Sequence, residues 1–201
     1  MNYKWARDFT MQLINRYSTA GASIPAHYND QADCLARIPK LLDDAQMLAA
    51  TTAAPILCSE ALGALRCDEN GGWLVYTLPE DCRQMCSAGL VRYDGDTFER
   101  YHRYRIVGAN KFAVPKELGG EIHVEYFRYP HLLGETPDDT DELDNTQEVQ
   151  MALPYYAAAY LVMQDDAFAF SALSNEFEAR LTKLKKQPHA DISIVQDAYG
   201  A

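Results

Sequence analysis

The cysteines are the residues with the widest chemical repertoire in this 201-residue chain. Cys82 and Cys86 stand four positions apart, a spacing that zinc sites tolerate, and further ligands would come from Cys58, Cys67 or a histidine. The sequence has no second tightly spaced ligand pair, and five irregularly spaced cysteines are typical of free thiols. We therefore expect free thiols and no bound metal. A cysteine-based metal-binding protein, or a thiol-dependent enzyme or regulatory protein, is the alternative function.

Carboxylates are densest between Asp138 and Asp144, directly after Thr136 and Pro137. Oxygen ligands at this density suit Ca2+, but the segment lacks the glycine and the terminal glutamate of an EF-hand loop. Asp144 and Gln147 have the spacing of a helix capping box, and acidic residues near a helix N-terminus are stabilised by the helix dipole. The pattern predicts a solvated loop that caps the next helix.

Sequence signatures of common enzyme classes are missing. There is no Gly-rich phosphate loop, GxSxG elbow or HExxH pair. The histidines are scattered, and a dyad such as Cys86 with His102 has no local signature to support it. The sequence therefore predicts no catalytic residue and no cofactor.

The segment Phe98–Ile106 interleaves aromatic and basic residues and is the best candidate for a binding surface. In one continuous strand, alternation would divide its basic residues between two faces. Arginine and tyrosine are enriched in protein interfaces, whereas the net charge of −11 opposes binding to phosphates. We interpret the segment as a protein interface, with a nucleic-acid-binding module as a weaker alternative. The predicted interface residues are Arg100, His102, Arg103, Tyr104 and Arg105.

Length and composition bound the class of protein. Apolar residues make up 48% of the chain, too many for an unfolded protein, and 201 residues suffice for one domain with a sizeable insertion. The longest apolar run, from Met151 to Met163, contains Pro154 and is too short to span a bilayer. Arg7 and Asp8 lie where the apolar core of a signal peptide would be. We expect a soluble protein made in the cytoplasm, with no membrane partner.

Hydrophobic periodicity predicts helices at both ends of the chain and strands between them. Apolar residues recur every three or four positions in three stripes: Trp5, Phe9, Leu13 and Tyr17; Leu35, Ile38, Leu42, Ala45 and Ala49; and Phe170, Leu173, Phe177, Leu181 and Leu184. Pro39 is expected to kink or divide the second helix.

Between Pro55 and Pro130 the period becomes that of strands. Asp94-Gly95-Asp96 is a hairpin signal, and a later strand alternates apolar and polar residues, with Ile122, Val124 and Tyr126 on its apolar face. The sequence thus predicts an α+β fold. Residues 1–54 and 136–186 form a helical bundle of about four main helices, residues 55–135 form an inserted antiparallel β-meander domain, and residues 187–201 form an extended C-terminal tail.

Several segments resemble the head–tail connector, or adaptor, proteins of tailed bacteriophages and prophages. The most distinctive runs from Thr136 to Leu184, where an acidic, proline-marked loop precedes two apolar helical segments containing Leu153–Ala158 and Asp165-Asp166. Three further segments are similar to the opening helices and the β-insertion of that family: residues 15–46, 104–110 and 125–130. The region from Cys58 to Cys86 has no counterpart.

The resemblance implies a structural, non-enzymatic protein that forms a ring, expected to be a dodecamer, between the portal protein and the next tail or neck protein. DNA would pass through the lumen without specific binding, because carboxylates on the wall repel phosphates. Such a protein would belong to the neck of the virion and act in tail assembly and genome ejection. The C-terminal tail would dock on the portal through its apolar residues, Ile192, Ile194, Val195 and Tyr199.

Overall fold

The computed structural model describes residues 1–14, 28–94, 97–117 and 121–185. Within these ranges the chain divides into two compact units. The helical unit consists of residues 1–55 and 130–185, and the β-domain consists of residues 56–129. The α+β class, with an antiparallel β-domain inserted between helices, is confirmed. The predicted C-terminal tail, with Ile192, Ile194, Val195 and Tyr199, lies outside the described residues.

The helical unit contains four main helices and one short helical turn. In chain order they are α1 (Tyr3–Ile14), α2 (Tyr28–Thr52), the four-residue α3 (Gln147–Gln150), α4 (Leu153–Val162) and α5 (Ala167–Lys185). Helix α2 runs unbroken through Pro39, so the predicted division is wrong. The carbonyl of Leu35, which loses its partner at Pro39, belongs to an exposed turn where water can bind it.

The core of the helical unit follows the predicted stripe of α2 but not that of α1. On α2, the side chains of Ile38, Leu42, Ala45 and Ala49 are fully buried, whereas Leu35 is exposed. On α1 the most buried residues are Tyr3, Ala6 and Thr10, and Trp5 and Phe9 are only half-buried. Small residues let α1 approach α4, whose three consecutive alanines Ala157, Ala158 and Ala159 are also fully buried.

The β-domain consists of two four-stranded antiparallel sheets. Its strands are β1 (Ile56–Ala61), β2 (Cys67–Asn70), β3 (Trp73–Thr77), β4 (Cys82–Asp94), β5 (Thr97–Tyr101), β6 (Arg105–Ile106), β7 (Lys111–Pro115) and β8 (Glu121–Arg128). One sheet has the order β1-β8-β4-β5 and the other β2-β3-β7-β6. The predicted hairpin between β4 and β5 is confirmed, with Leu90 opposite Tyr101. Ile122, Val124 and Tyr126 of β8 face the core, also as predicted.

The strand order is not the predicted meander. The first strand pairs with the last, so that Ile56 lies opposite Arg128 and both ends of the insertion leave the sheet side by side. An inserted domain needs closely spaced ends because the host unit must accept both of them. A meander of this length would place its first and last strands at opposite edges of the sheet and so separate the two ends of the insertion. Pairing of β1 with β8 keeps those ends together.

The return from the β-domain to the helices is held by a buried polar network. Asp43 of α2 is only 5% exposed, and its carboxylate accepts hydrogen bonds from the backbone N–H groups of Leu133 (2.7 Å) and Gly134 (3.1 Å). Gln46, fully buried one turn later, donates to Asp43 and accepts from the N–H of Asp144. Residues 130–135, which the sequence prediction gave to the β-domain, therefore belong to the helical unit.

The acidic loop does not cap α3, the helix that follows it. Its backbone carbonyls at Asp141 and Asp139 instead accept the N–H groups of Tyr3 and Lys4 in the first turn of α1. The cap residue of α3 is Thr146, which makes no side-chain capping bond. Asp144 instead accepts a hydrogen bond from the N–H of His131 (2.7 Å), and Asp141 accepts one from the N–H of Asp138 (2.9 Å). Asp139 forms an ion pair with Arg7 of α1. The predicted capping of α3 by Asp144 is therefore wrong, and the carboxylates accept hydrogen bonds from the backbone of residues 131 and 138 and from the guanidinium of Arg7.

We expect the Asp43→Ala variant to lower the free energy of unfolding by about 3 kcal/mol, because two half-buried N–H groups lose a charged acceptor. Urea denaturation followed by circular dichroism measures this change. The matched control is Asp44→Ala, which removes only an exposed ion pair with Lys40 and should cost about 0.5 kcal/mol. Equal destabilisation by the two substitutions would contradict the role given to Asp43.

Candidate protein interface on the β-domain

The predicted interface segment is divided between the edges of two sheets. Arg100 lies in β5, the edge strand of the first sheet, and Arg105 lies in β6, the edge strand of the second. The expected continuous strand is therefore wrong. Tyr101 and Tyr104 both pack against the core of the β-domain. Residues three apart on one strand face opposite sides, so both rings can reach the core only if the strand is interrupted between them.

Tyr104 is a packing residue and not a free contact residue. Its hydroxyl occupies the space where a side chain at Gly89 would lie. Gly89 has a φ of +68°, a backbone conformation that glycine adopts without steric cost. It lies in the irregular part of β4, where the pairing with β8 shifts register between Met85 and Leu90. The contact between Tyr104 and Gly89 therefore packs the segment after β5 against the irregular part of β4.

Arg105 is also partly committed to the fold. Its guanidinium carbon lies 3.8 Å from the centroid of the Trp73 ring, which is a cation–π contact. β3 and β6 flank β7, and Ala113 of β7 lies opposite Arg105 and is buried. The contact between Arg105 and Trp73 therefore spans β7 on one face of the sheet and links β6 to β3. The Arg105 side chain remains exposed.

Arg100 faces a buried carboxylate. Val91 of β4 lies opposite both Arg100 of β5 and His123 of β8, so the two basic residues share one row of the sheet. Glu125, two residues after His123 on the same face, is only 5% exposed. Burial raises the pKa of Glu125 above its ordinary value, and the charges of Arg100 and His123 partly oppose that shift.

The β1–β8 pair also aligns three side chains in the order of an acyl-transfer triad. Ser59 Oγ lies 3.4 Å from His123 Nδ1, and Glu121 Oε1 lies 3.0 Å from His123 Nε2. Sequence reasoning missed this set because Ser59 and His123 are 64 residues apart. Ser59 is exposed, and 3.4 Å is longer than the usual hydrogen bond of about 2.7–3.2 Å. We therefore assign the set no catalytic role.

Large apolar side chains are exposed on both edge strands of the predicted interface segment or directly after them. The exposed fractions are 62% for Phe98, 60% for Ile106 and 52% for Val107. His102, Arg103, Arg105 and Lys111 are exposed beside them. We call residues 97–111 the β5–β6 strip. Exposed apolar residues framed by arginine are typical of a protein interface. The sequence prediction named the basic residues and missed the apolar ones, whose exposure depends on which strands lie at the edges.

The cysteines give little support to the thiol-based alternative. All five are free thiols, as predicted. In the described ranges, no group of three or more histidine, cysteine or acidic side chains is arranged to hold a metal ion. Burial, followed by the charge of Asp81, raises the pKa of Cys82. A raised pKa reduces the thiolate fraction at neutral pH, which is the opposite of what an activated nucleophile requires.

No family model matches this chain, and no curated protein matches it. Among the described residues, no helix combines the length and the apolar character needed to cross a membrane.

Glu125→Gln should stabilise the protein at pH 7 and have little effect at pH 4. The folded state binds the Glu125 proton more tightly than the unfolded state, so stability falls as pH rises from about 4.5 to the raised pKa and stays reduced above it. Urea denaturation at both pH values tests this. The control, Glu117→Gln at an exposed site, should change stability by less than about 0.5 kcal/mol at either pH.

Arg105→Ala should destabilise the β-domain by about 0.5–1 kcal/mol through loss of the cation–π contact. The chain contains two tryptophans, Trp5 and Trp73, so in a Trp5→Phe background the tryptophan emission comes from Trp73 alone. We expect the emission maximum to shift in Arg105→Ala and not in Arg103→Ala, the exposed neighbour. Identical spectra for the two variants would show that Arg105 does not cover Trp73 in solution.

Proposed function

We propose that this chain is a structural, non-enzymatic head–tail connector of a tailed bacteriophage or prophage. It assembles as a dodecameric ring between the portal protein and the next tail or neck protein, in the neck of the virion, after synthesis in the cytoplasm of the bacterial host. The observation that carries the proposal is the order of parts. A helix pair, an inserted antiparallel domain and a second helix pair follow one another as the resemblance implies.

The charge distribution supports a conduit for DNA. Between Arg92 and Arg128 there are seven basic and six acidic residues, so the rest of the chain carries a net charge of −12. Four carboxylates of the acidic loop are exposed: Asp138, Asp139, Asp141 and Glu142. A lumen lined by such groups repels phosphates, so the genome slides through without specific binding during ejection.

The β5–β6 strip supports a protein contact at the β-domain. Its apolar residues would be desolvated by a partner, and its arginines would supply charge-assisted hydrogen bonds at the rim. In this proposal Arg100, His102 and Arg103 contact the partner. Tyr104 and Arg105 hold the strip in shape, since both already pack within the β-domain.

Negative-stain electron microscopy of the purified protein, alone and mixed with the cognate portal, tests the connector function. We expect twelve-fold rings, at least on the portal, because subunits of such rings can depend on the partner for assembly. A protein that joins neither portal nor tail assemblies overturns the proposal. Zinc analysis and thiol titration test the rival: stoichiometric zinc, or one unusually reactive cysteine, would favour a metal- or thiol-dependent protein.

Deletion of residues 187–201 should leave the circular dichroism spectrum and the melting temperature unchanged but abolish attachment to the portal. The same loss is expected when the four apolar residues of the tail, Ile192, Ile194, Val195 and Tyr199, are replaced by serine. The matched control replaces Ser193 and Gln196 by alanine in the same segment. Portal attachment retained after the deletion would contradict the docking role of the tail.

A further inference from the structure

Strand β6 has an open edge that exposes backbone groups as well as apolar side chains. In the described part of the chain, β6 pairs only with β7. The N–H of Val107 donates to the carbonyl of Lys111 (2.9 Å), and Ile106 lies opposite Phe112. Successive residues of an antiparallel strand point their backbone groups alternately toward and away from the partner. Ile106 therefore directs its N–H and C=O to the open side.

A cavity of about 230 Å3 lies beside this edge. Leu78, Cys82, Met85 and Ile106 provide its apolar lining, while Arg83 and Lys111 contribute its cationic groups. A volume of this size accepts one large apolar side chain. An edge strand next to such a cavity offers the two elements of strand addition: backbone hydrogen bonds for affinity and a side-chain pocket for selectivity.

Charge defines the chemistry of the occupant. Arg103, Arg105 and Lys111 are exposed around the edge, and Arg83 lines the cavity. The opposite edge of the same sheet, β2, is different: all four of its residues are exposed, but they are Cys67, Asp68, Glu69 and Asn70, without a large apolar side chain. The β2 edge carries two carboxylates and no large apolar side chain, whereas the β6 edge combines an exposed isoleucine with positive charge. Its complement is an acidic segment.

We propose that the β6 edge and its cavity bind an extended, acidic segment of the next neck protein. The segment adds as a strand along β6, places one large apolar side chain in the cavity, and pairs its carboxylates with Arg103 and Lys111. This inference rests on the proposed connector function and defines the partner chemistry of the β5–β6 strip.

The direct test uses a fluorescent ten-residue peptide of alternating glutamate and valine with one central leucine, and it measures fluorescence anisotropy. We expect binding that weakens at least tenfold when lysine replaces glutamate, and a similar loss when alternate peptide nitrogens are methylated. Ile106→Pro, which removes the outward N–H, should abolish binding, whereas Ile106→Thr should retain most of it. Equal binding of the acidic and basic peptides, or no binding of either, overturns the inference.

The double variant Arg103→Glu/Lys111→Glu keeps the strand and provides a second test without a backbone change. We expect at least tenfold weaker peptide binding, while the control Asp68→Ala/Glu69→Ala on β2 binds like the parent. In microscopy, the double variant should form rings on the portal but fail to recruit the next neck protein. Loss of the ring itself would identify a second copy of this chain as the occupant and overturn the inference. Failure of the parent chain to join any portal assembly would instead contradict the connector function.

Discussion

The carboxylate of Asp43 is the anchor on which the two-part organisation of the chain depends. It sits almost fully buried in α2 and accepts two N–H groups from the segment that returns from the β-domain. Gln46 extends the same network to Asp144. A buried carboxylate is stable only with such partners, so the returning segment is held in one position before α3 and α4 begin. The two parts of the helical unit are therefore joined by direct contacts although 74 residues (56–129) separate them in the chain.

The pairing of β1 with β8 determines which strands of the β-domain lie at the sheet edges. Because β1 pairs with β8, the entry and exit of the β-domain share one side of the first sheet, and β5 becomes its opposite edge. The second sheet ends in β2 and β6. In the described chain the edge strands are therefore β1, β5, β2 and β6. A large apolar side chain is exposed on β1 (Leu57), β5 (Phe98) and β6 (Ile106), whereas β2 exposes none. The contact surface of the domain is a consequence of its strand order.

Reactive groups in this protein are used mainly for packing. Cys82 and Met85 line a cavity. Cys58 Sγ accepts a hydrogen bond from Arg128 Nε at 3.2 Å. Tyr104 fills the space above a glycine, and Arg105 covers a tryptophan. These side chains therefore contribute to the packing of the β-domain.

The sequence by itself determined the class of fold, the β4–β5 hairpin, the buried stripe of α2 and the inward face of β8, because periodicity and turn residues record local backbone conformation and one buried face. It also located the segment that carries the exposed Arg103 and Arg105. Only the tertiary structure decided that β1 meets β8, that the strand after Phe98 breaks so that Tyr101 and Tyr104 both face inward, and that the acids near Asp144 bind loop amides. Those outcomes depend on contacts between residues far apart in the chain, and a one-dimensional pattern does not record which distant partner a strand edge or a carboxylate will find.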